Sequence, residues 1–124
     1  MENNKSLKDT SGVLFIKQIA AIAATECFGV VGISKKKPVV NRILSQSAER
    51  LSHGVEVTYL KGEDKIYDED TDEIIIDIYV IMEFGLKLIS VAENLIDTIK
   101  YNVERETDAK VRKVNVHVNY VRVL

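Results

Sequence analysis

Residues 74–82 read IIIDIYVIM, the most strand-like stretch of the chain, and they predict the central strand of a sheet. Side chains alternate between the two faces of a strand. One face would carry Ile74, Ile76, Ile78, Val80 and Met82, and the other would carry Ile75, Asp77, Tyr79 and Ile81. The first face is entirely apolar and belongs to the core, whereas the second mixes apolar and polar groups.

The segments after this strand predict a long helix and a closing strand. Gly85 opens the helix, which runs to about Thr107. Its expected buried stripe is Ile89, Ala92, Ile96, Ile99 and Val103. In the closing strand, Val114, Val116, Val118 and Tyr120 alternate with Asn115, His117 and Asn119, which gives one apolar and one polar face.

The segments before the central strand predict another helix and two more strands. The helix has an apolar stripe of Ile16, Ile19, Ala20, Ala23 and Cys27 and ends at Gly29. Residues 30–33 and 55–59 are the predicted strands, and residues 39–51 are a short amphipathic helix or an excursion. The acidic residues 61–73 predict a long hairpin loop.

The order of elements predicts an α+β fold. A mainly antiparallel sheet of three or four strands, with both helices packed on one face, buries every apolar stripe and leaves the other face open. Residues 12–124 then form a single domain behind a flexible tail of residues 1–11.

The composition argues against several classes of function. With 17 basic and 19 acidic residues the formal net charge is −2, so the chain has no overall attraction for nucleic acid or anionic lipid. A single cysteine excludes an internal disulfide and favours a cytoplasmic location. The most apolar stretch, residues 12–27, is interrupted by Lys17 and Gln18 and is too short to span a bilayer, so we expect no direct membrane insertion.

Several ordered motifs resemble one known family. They are CFGVVGIS (27–34), GVEVTYL (54–60), the strand and helix of residues 74–104, and VRKVNVHVNYVRV (111–123). Together they are similar to the alkaline-shock, or envelope-stress-response, family of small Gram-positive bacterial proteins over residues 12–123. The family hallmarks correspond here to Gly29, Val30 and Gly32; Phe84 and Gly85; and Val114, Asn115 and Val116. Asp108 departs from the glycine that the family commonly has after the long helix, and aspartate tolerates the same turn.

The resemblance implies a non-enzymatic assembly or adaptor protein of the cell-envelope stress response or of lipid homeostasis. Such a protein would form homo-oligomers and bind protein partners at the cytoplasmic side of the membrane. The segments KYNVERET (100–107) and YVRV (120–123) resemble a subgroup associated with lipid metabolism.

No residue pattern predicts a catalytic centre, a metal site or a cofactor. The first ligand positions of a calcium-loop pattern are matched by Asp68, Asp70 and Asp72. However, Glu73 and Tyr79 stand where that loop needs a glycine and a bidentate glutamate. Cys27 is interpreted as a small buried hydrophobic residue, and His53 and His117 lack the spaced partners of a zinc site.

Two surfaces are candidate contact sites. The open sheet face is more apolar than a free surface usually is, and its candidate contact residues are Leu60, Ile75, Tyr79, Ile81, His117 and Val121. Either a second copy or another protein binds this face, or residues 35–53 fold over it. Lys35, Lys36 and Lys37 are a candidate contact for anions or membrane headgroups, although such runs are usually solvated loops.

Two other functions stay open as alternatives. A nucleic-acid-binding module would use Tyr79 and His117 as stacking groups, but the open face has almost no Arg or Lys, so no nucleic-acid partner is expected. A carrier of a small ligand such as an acyl chain is the second alternative.

Overall fold

The computed structural model describes residues 12–35 and 52–123, whose main elements are two α-helices and four strands, beside two short 3-10 turns at Ser52–Gly54 and Gly62–Asp64. In chain order these are α1 (Val13–Thr25), β1 (Val30–Ile33), β2 (Val55–Tyr59), β3 (Glu73–Glu83), α2 (Leu88–Glu106) and β4 (Lys110–Arg122). Each predicted helix and strand in these ranges is confirmed. The predicted tail of residues 1–11 and the predicted helix or excursion of residues 39–51 lie outside the described residues.

β3 is the central strand of the sheet. β1 and β2 pair with it in antiparallel orientation, and β4 pairs with it in parallel orientation along its whole length. The sheet is therefore mainly antiparallel, as predicted, with one parallel pair. The parallel pair follows from connectivity, because α2 carries the chain back along the sheet between β3 and β4.

β1 and β2 together form one interrupted edge strand. Because β4 takes one whole edge of β3, the two short strands share the other edge. The N–H of Ser34 donates to the carbonyl oxygen of Tyr79 at 2.9 Å, and the next residue of β3, Ile78, lies opposite Val55. The chain thus leaves the sheet after Ser34 and returns to the adjoining position at Val55.

The return point requires a glycine. A Cβ atom on Gly54 would lie 2.1 Å from Cγ2 of Ile33 and 2.5 Å from the carbonyl oxygen of Ser34. Backbone comes this close only where no side chain intervenes. Gly54 therefore allows the two ends of the interruption to meet.

Both helices pack on the same face of the sheet. Their shared core with β3 contains Ile74, Ile76, Ile78, Val80 and Met82, as predicted. In α1 the buried residues are Ile16, Ala20, Ala21, Ala23 and Ala24, and the small alanines let the helix lie close to its neighbours.

The buried stripe of α2 differs from the predicted one. It consists of Val91, Leu95, Ile99 and Val103, whereas Ile89 is 73% exposed. Residues that are two positions apart in sequence point about 200° apart around a helix, so Ile89 cannot share a face with Val91. The helix also begins at Leu88 and not at Gly85, because Gly85 has φ of 95°, which is incompatible with a helical turn.

Candidate functional site

A stacked aromatic pair lies on the open face of the sheet. Tyr79 of β3 and His117 of β4 are in register, with ring centroids 4.4 Å apart and planes inclined by 13°. Nε2 of His117 lies 2.8 Å from Oδ1 of Asp77, and Nδ2 of Asn115 donates to the same oxygen at 3.1 Å. One carboxylate thus fixes two side chains of β4, so this polar surface is ordered before any partner arrives.

Two of the six predicted contact residues are not accessible. Leu60, Ile75, His117 and Val121 are half-buried, but Tyr79 is only 8% exposed and Ile81 only 1% exposed. Both lie on the predicted strand, and the imidazole of His117 stacks on Tyr79. The expectation that they offer free surface is corrected. The alternative in which residues 35–53 cover the face concerns a segment that lies largely outside the described residues.

A β-bulge in β4 shifts its register with β3. Residues of β4 beyond the bulge therefore lie on the opposite face from the one that simple alternation predicts. Val118 is aligned with Val80, but the register then shifts, so that Tyr120 is aligned with Ile81 and Val121 with Met82. An extra residue in one strand reverses the alternation beyond it. Tyr120, and not Val121 as predicted, therefore shares the face of Ile81, while Val121 is aligned with a core residue.

Asn119 connects β4 to the end of β1 across the central strand. Its Nδ2 donates to Oγ of Ser34 and to the carbonyl oxygen of Lys35, both at 2.9 Å. Ser34 is buried, so the first of these bonds satisfies a hydroxyl group that water does not reach freely. The sequence shows Asn119 only as a polar residue in alternation, which does not reveal this role.

β4 is an edge strand with one half unprotected. Among residues 12–35 and 52–123, only β3 pairs with it. Three basic residues, Lys110, Arg112 and Lys113, lie in its first half, whereas residues 114–121 (VNVHVNYV) contain no Asp, Glu, Lys or Arg. Proteins commonly place charges on edge strands to prevent pairing with other chains. The uncharged half of β4 therefore offers free backbone groups to another strand.

The nucleophilic and ligating groups are not brought together. Cys27 is buried in the helix-side core, where Nδ2 of Asn94 lies 3.5 Å from its Sγ, and burial raises the pKa of the thiol. A raised pKa leaves little thiolate at neutral pH. The Asp77–His117 pair lies on the opposite face of the sheet. In the described part of the chain, no three His, Cys, Asp or Glu residues are grouped as a metal site requires.

The acidic loop is held by its own side chains. Oδ1 of Asp68 accepts hydrogen bonds from the N–H of Asp70 and from the N–H and hydroxyl of Thr71, at 3.1, 2.9 and 2.8 Å. The Thr71 hydroxyl bond is the main cause that lowers the pKa of Asp68. The calcium-loop pattern is thus a local turn in which the first carboxylate binds backbone.

Glu73 is a buried carboxylate that the sequence placed in this loop. It is the first residue of β3 and is 1% exposed. Its two oxygens accept from the N–H of Ile66 at 3.0 Å, the N–H of Tyr67 at 2.7 Å and Nη1 of Arg112 at 3.0 Å. Burial alone raises the pKa of Glu73, but these donors outweigh it and hold the pKa below its ordinary value.

The predicted basic cluster is described only at its first residue. Lys35 is exposed, and Lys36 and Lys37 lie outside the described residues. Neither described helix is both long and apolar enough to cross a membrane.

Comparison with known proteins gives matches along nearly the whole chain. The profile of the alkaline shock protein 23 family, with cell envelope-related function, matches residues 3–123. The uncharacterised protein YloU of Bacillus subtilis (strain 168) is 32% identical over 111 residues, which cover 87% of this chain and 82% of YloU. The uncharacterised protein Spy1614 of Streptococcus pyogenes serotype M6 is 31% identical over 110 residues, covering 88% of this chain and 83% of Spy1614. No solved structure matches the chain significantly.

Proposed function

The chain belongs to the alkaline shock protein 23 family of cell envelope-related function, and on this premise we propose that it is a non-enzymatic assembly and adaptor protein. It serves the envelope stress response or lipid homeostasis from the cytoplasmic side of the membrane. It acts by binding copies of itself and protein partners.

The observation that carries this proposal is the uncharged half of the β4 edge. Residues 114–121 present backbone N–H and C=O groups that have no strand partner among the described residues. An added strand satisfies such groups and extends the sheet, a common mode of protein recognition. Two copies related by a two-fold axis pair this edge with itself in antiparallel orientation. A two-fold contact uses the same stretch of β4 in both copies, so it closes a dimer.

The open face beside the edge supplies the surface for other partners. The Asp77 carboxylate holds Asn115 and His117 in place, so a partner does not bear the entropy cost of ordering them. In a β4-linked dimer the open faces of both copies adjoin, which makes one continuous platform. This arrangement gives the adaptor two equivalent docking surfaces.

The test is the oligomeric state of the wild type beside two charge-matched variants. Val118 and Tyr120 are each 38% exposed, so lysine fits at both positions without burial of its charge. The Val118→Lys, Tyr120→Lys variant places charges on the edge. The control, Phe28→Lys, Ile89→Lys, adds the same charge at two exposed apolar residues outside the sheet.

Light scattering behind size exclusion separates the outcomes. We expect an oligomeric wild type, an oligomeric control and a folded monomer for the edge variant, with far-UV circular dichroism unchanged in all three. An edge variant that stays oligomeric, or a control that dissociates equally, would refute the role of β4.

A further inference from the structure

A small cavity with an excess of cationic groups lies at the end of the sheet where β4 begins. It has a volume of about 280 Å³ and is lined by Ile66, Tyr67, Lys100, Glu104, Lys110, Val111 and Arg112. Three of these side chains are cationic and one is anionic. This balance is opposite in sign to the net charge of the chain, −2.

The buried Glu73 carboxylate fixes two sides of this cavity. It binds the N–H groups of Ile66 and Tyr67 and thereby positions the loop wall. It also binds Nη1 of Arg112, which donates in addition to the carbonyl oxygen of Asp64 at 2.9 Å. Nε and Nη2 of Arg112 make no other hydrogen bond within the described residues. A buried carboxylate is costly unless it is fully hydrogen-bonded or paired. The donors that satisfy Glu73 belong to Ile66, Tyr67 and Arg112, so the same contacts hold the cavity wall in place.

The remaining charges of the cavity favour an anion. Oε2 of Glu104 already accepts from the N–H of Val111 at 2.8 Å. In the described part of the chain, the ammonium groups of Lys100 and Lys110 have neither an ion pair nor a hydrogen bond. Two unpaired ammonium groups and the free donors of a fixed guanidinium supply the positive charge and the hydrogen-bond donors that a phosphate group needs.

The size and rim of the cavity limit what the phosphate is attached to. Its volume of about 280 Å³ lies just below the usual range for ligand sites, so a long acyl chain does not fit inside. Ile66 and Tyr67 are exposed at the rim and offer apolar surface. We propose that this cavity binds a phosphate monoester whose apolar part lies against these two residues. The cavity is lined by the first residues of β4 and does not include residues 114–121, so the proposal does not rest on the proposed function.

The test uses phenyl phosphate as the soluble probe, phenol as the matched probe without phosphate, and phosphatidylcholine vesicles with or without phosphatidic acid. Lys100→Ala, Lys110→Ala removes both unpaired ammonium groups. Lys87→Ala, Lys113→Ala makes the same change of charge at two exposed residues outside the cavity. All four positions are exposed, so the variants are expected to fold, and circular dichroism checks this.

We expect one saturable site per chain for phenyl phosphate and none for phenol, with amide shifts at Ile66, Tyr67 and Val111 in NMR spectra. Loss of two charge-assisted contacts should weaken binding by about tenfold or more, whereas the control should bind like the wild type. Binding to phosphatidic acid vesicles alone, with the same dependence on the lysines, identifies a lipid headgroup as the source of the phosphate. Absence of saturable binding to both phenyl phosphate and phosphatidic acid vesicles, or equal loss of binding in both variants, would overturn the proposal.

Discussion

Replacement of Gly29 by alanine tests how α1 is docked against the start of α2. Gly29 has φ of +93°, and a Cβ atom there would lie 2.8 Å from Cγ2 of Val91 and 3.0 Å from Cδ1 of Leu86. Gly85 is a matched control, because it has φ of +95° but nothing within 4 Å of its Cβ position. The two substitutions therefore share the backbone cost and differ in crowding.

The magnitudes follow from these two contributions. An alanine at positive φ lowers the free energy of unfolding by about 1–2 kcal/mol. The unfolded chain is less flexible with alanine than with glycine, which offsets part of this loss and leaves a net loss of about 1 kcal/mol for Gly85→Ala. Crowding in a packed site adds about 1–3 kcal/mol, so Gly29→Ala should cost roughly 2–4 kcal/mol. The difference of about 2 kcal/mol corresponds to roughly 5–8 °C in Tm for a domain of this size.

Thermal and urea unfolding at one fixed protein concentration measure both variants. The double variant Gly29→Ala, Val91→Ala provides a further check, because removing the Val91 methyl groups should relieve part of the clash and give costs that are not additive. If Gly29→Ala and Gly85→Ala lower the free energy of unfolding by the same amount to within about 0.5 kcal/mol, Gly29 is not crowded by Val91 and Leu86.

Three further predictions concern single side chains. Because its donors lower the pKa of Glu73, its carboxylate stabilises the fold above the ordinary glutamate pKa of about 4.3, and this contribution is lost as the pH falls through the lower folded value. Glu73→Gln should therefore be less stable than the wild type at pH 7, with a smaller difference at pH 3 in urea titrations; an unchanged difference would contradict this. Asn119→Ala should cost about 1–2 kcal/mol and speed amide exchange at Ser34, since one part-buried and one exposed hydrogen bond are lost; unchanged exchange there would show that the contact is not formed. The Cys27 thiol, buried and with a raised pKa, should react with a disulfide reagent only slowly until denaturant is added, and fast labelling of the native protein would refute this.

The sequence predicted those features that depend on local pattern. The alternation in residues 74–82 identified the central strand and its core face, and Gly29 was recognised as a left-handed turn position after the first helix, where its φ is positive, although α1 itself ends at Thr25 and not at Gly29. Both signals are carried by a few neighbouring residues. Periodicity and backbone freedom are therefore sufficient to read them.

Features that depend on contacts distant in sequence were not predictable. The buried face of α2 was placed with Ile89 because several apolar stripes fit the same segment, and only packing against the sheet selects Val91 and Leu95. The burial of Glu73 depends on Arg112, which is 39 residues away. The β-bulge in β4, which exchanges the faces of Tyr120 and Val121, leaves no signal in a run of alternating residues.

Amide hydrogen exchange across β4 at several protein concentrations tests the central claim of self-association through this edge most directly. In a monomer, the N–H groups of β4 that face β3 are protected from exchange, and the alternate N–H groups that face outward exchange rapidly. If β4 pairs with β4 of a second copy, the outward amides of residues 114–121 should become protected as the concentration rises and the oligomer forms. Outward amides that exchange rapidly at every concentration, while light scattering reports an oligomer, would contradict the account.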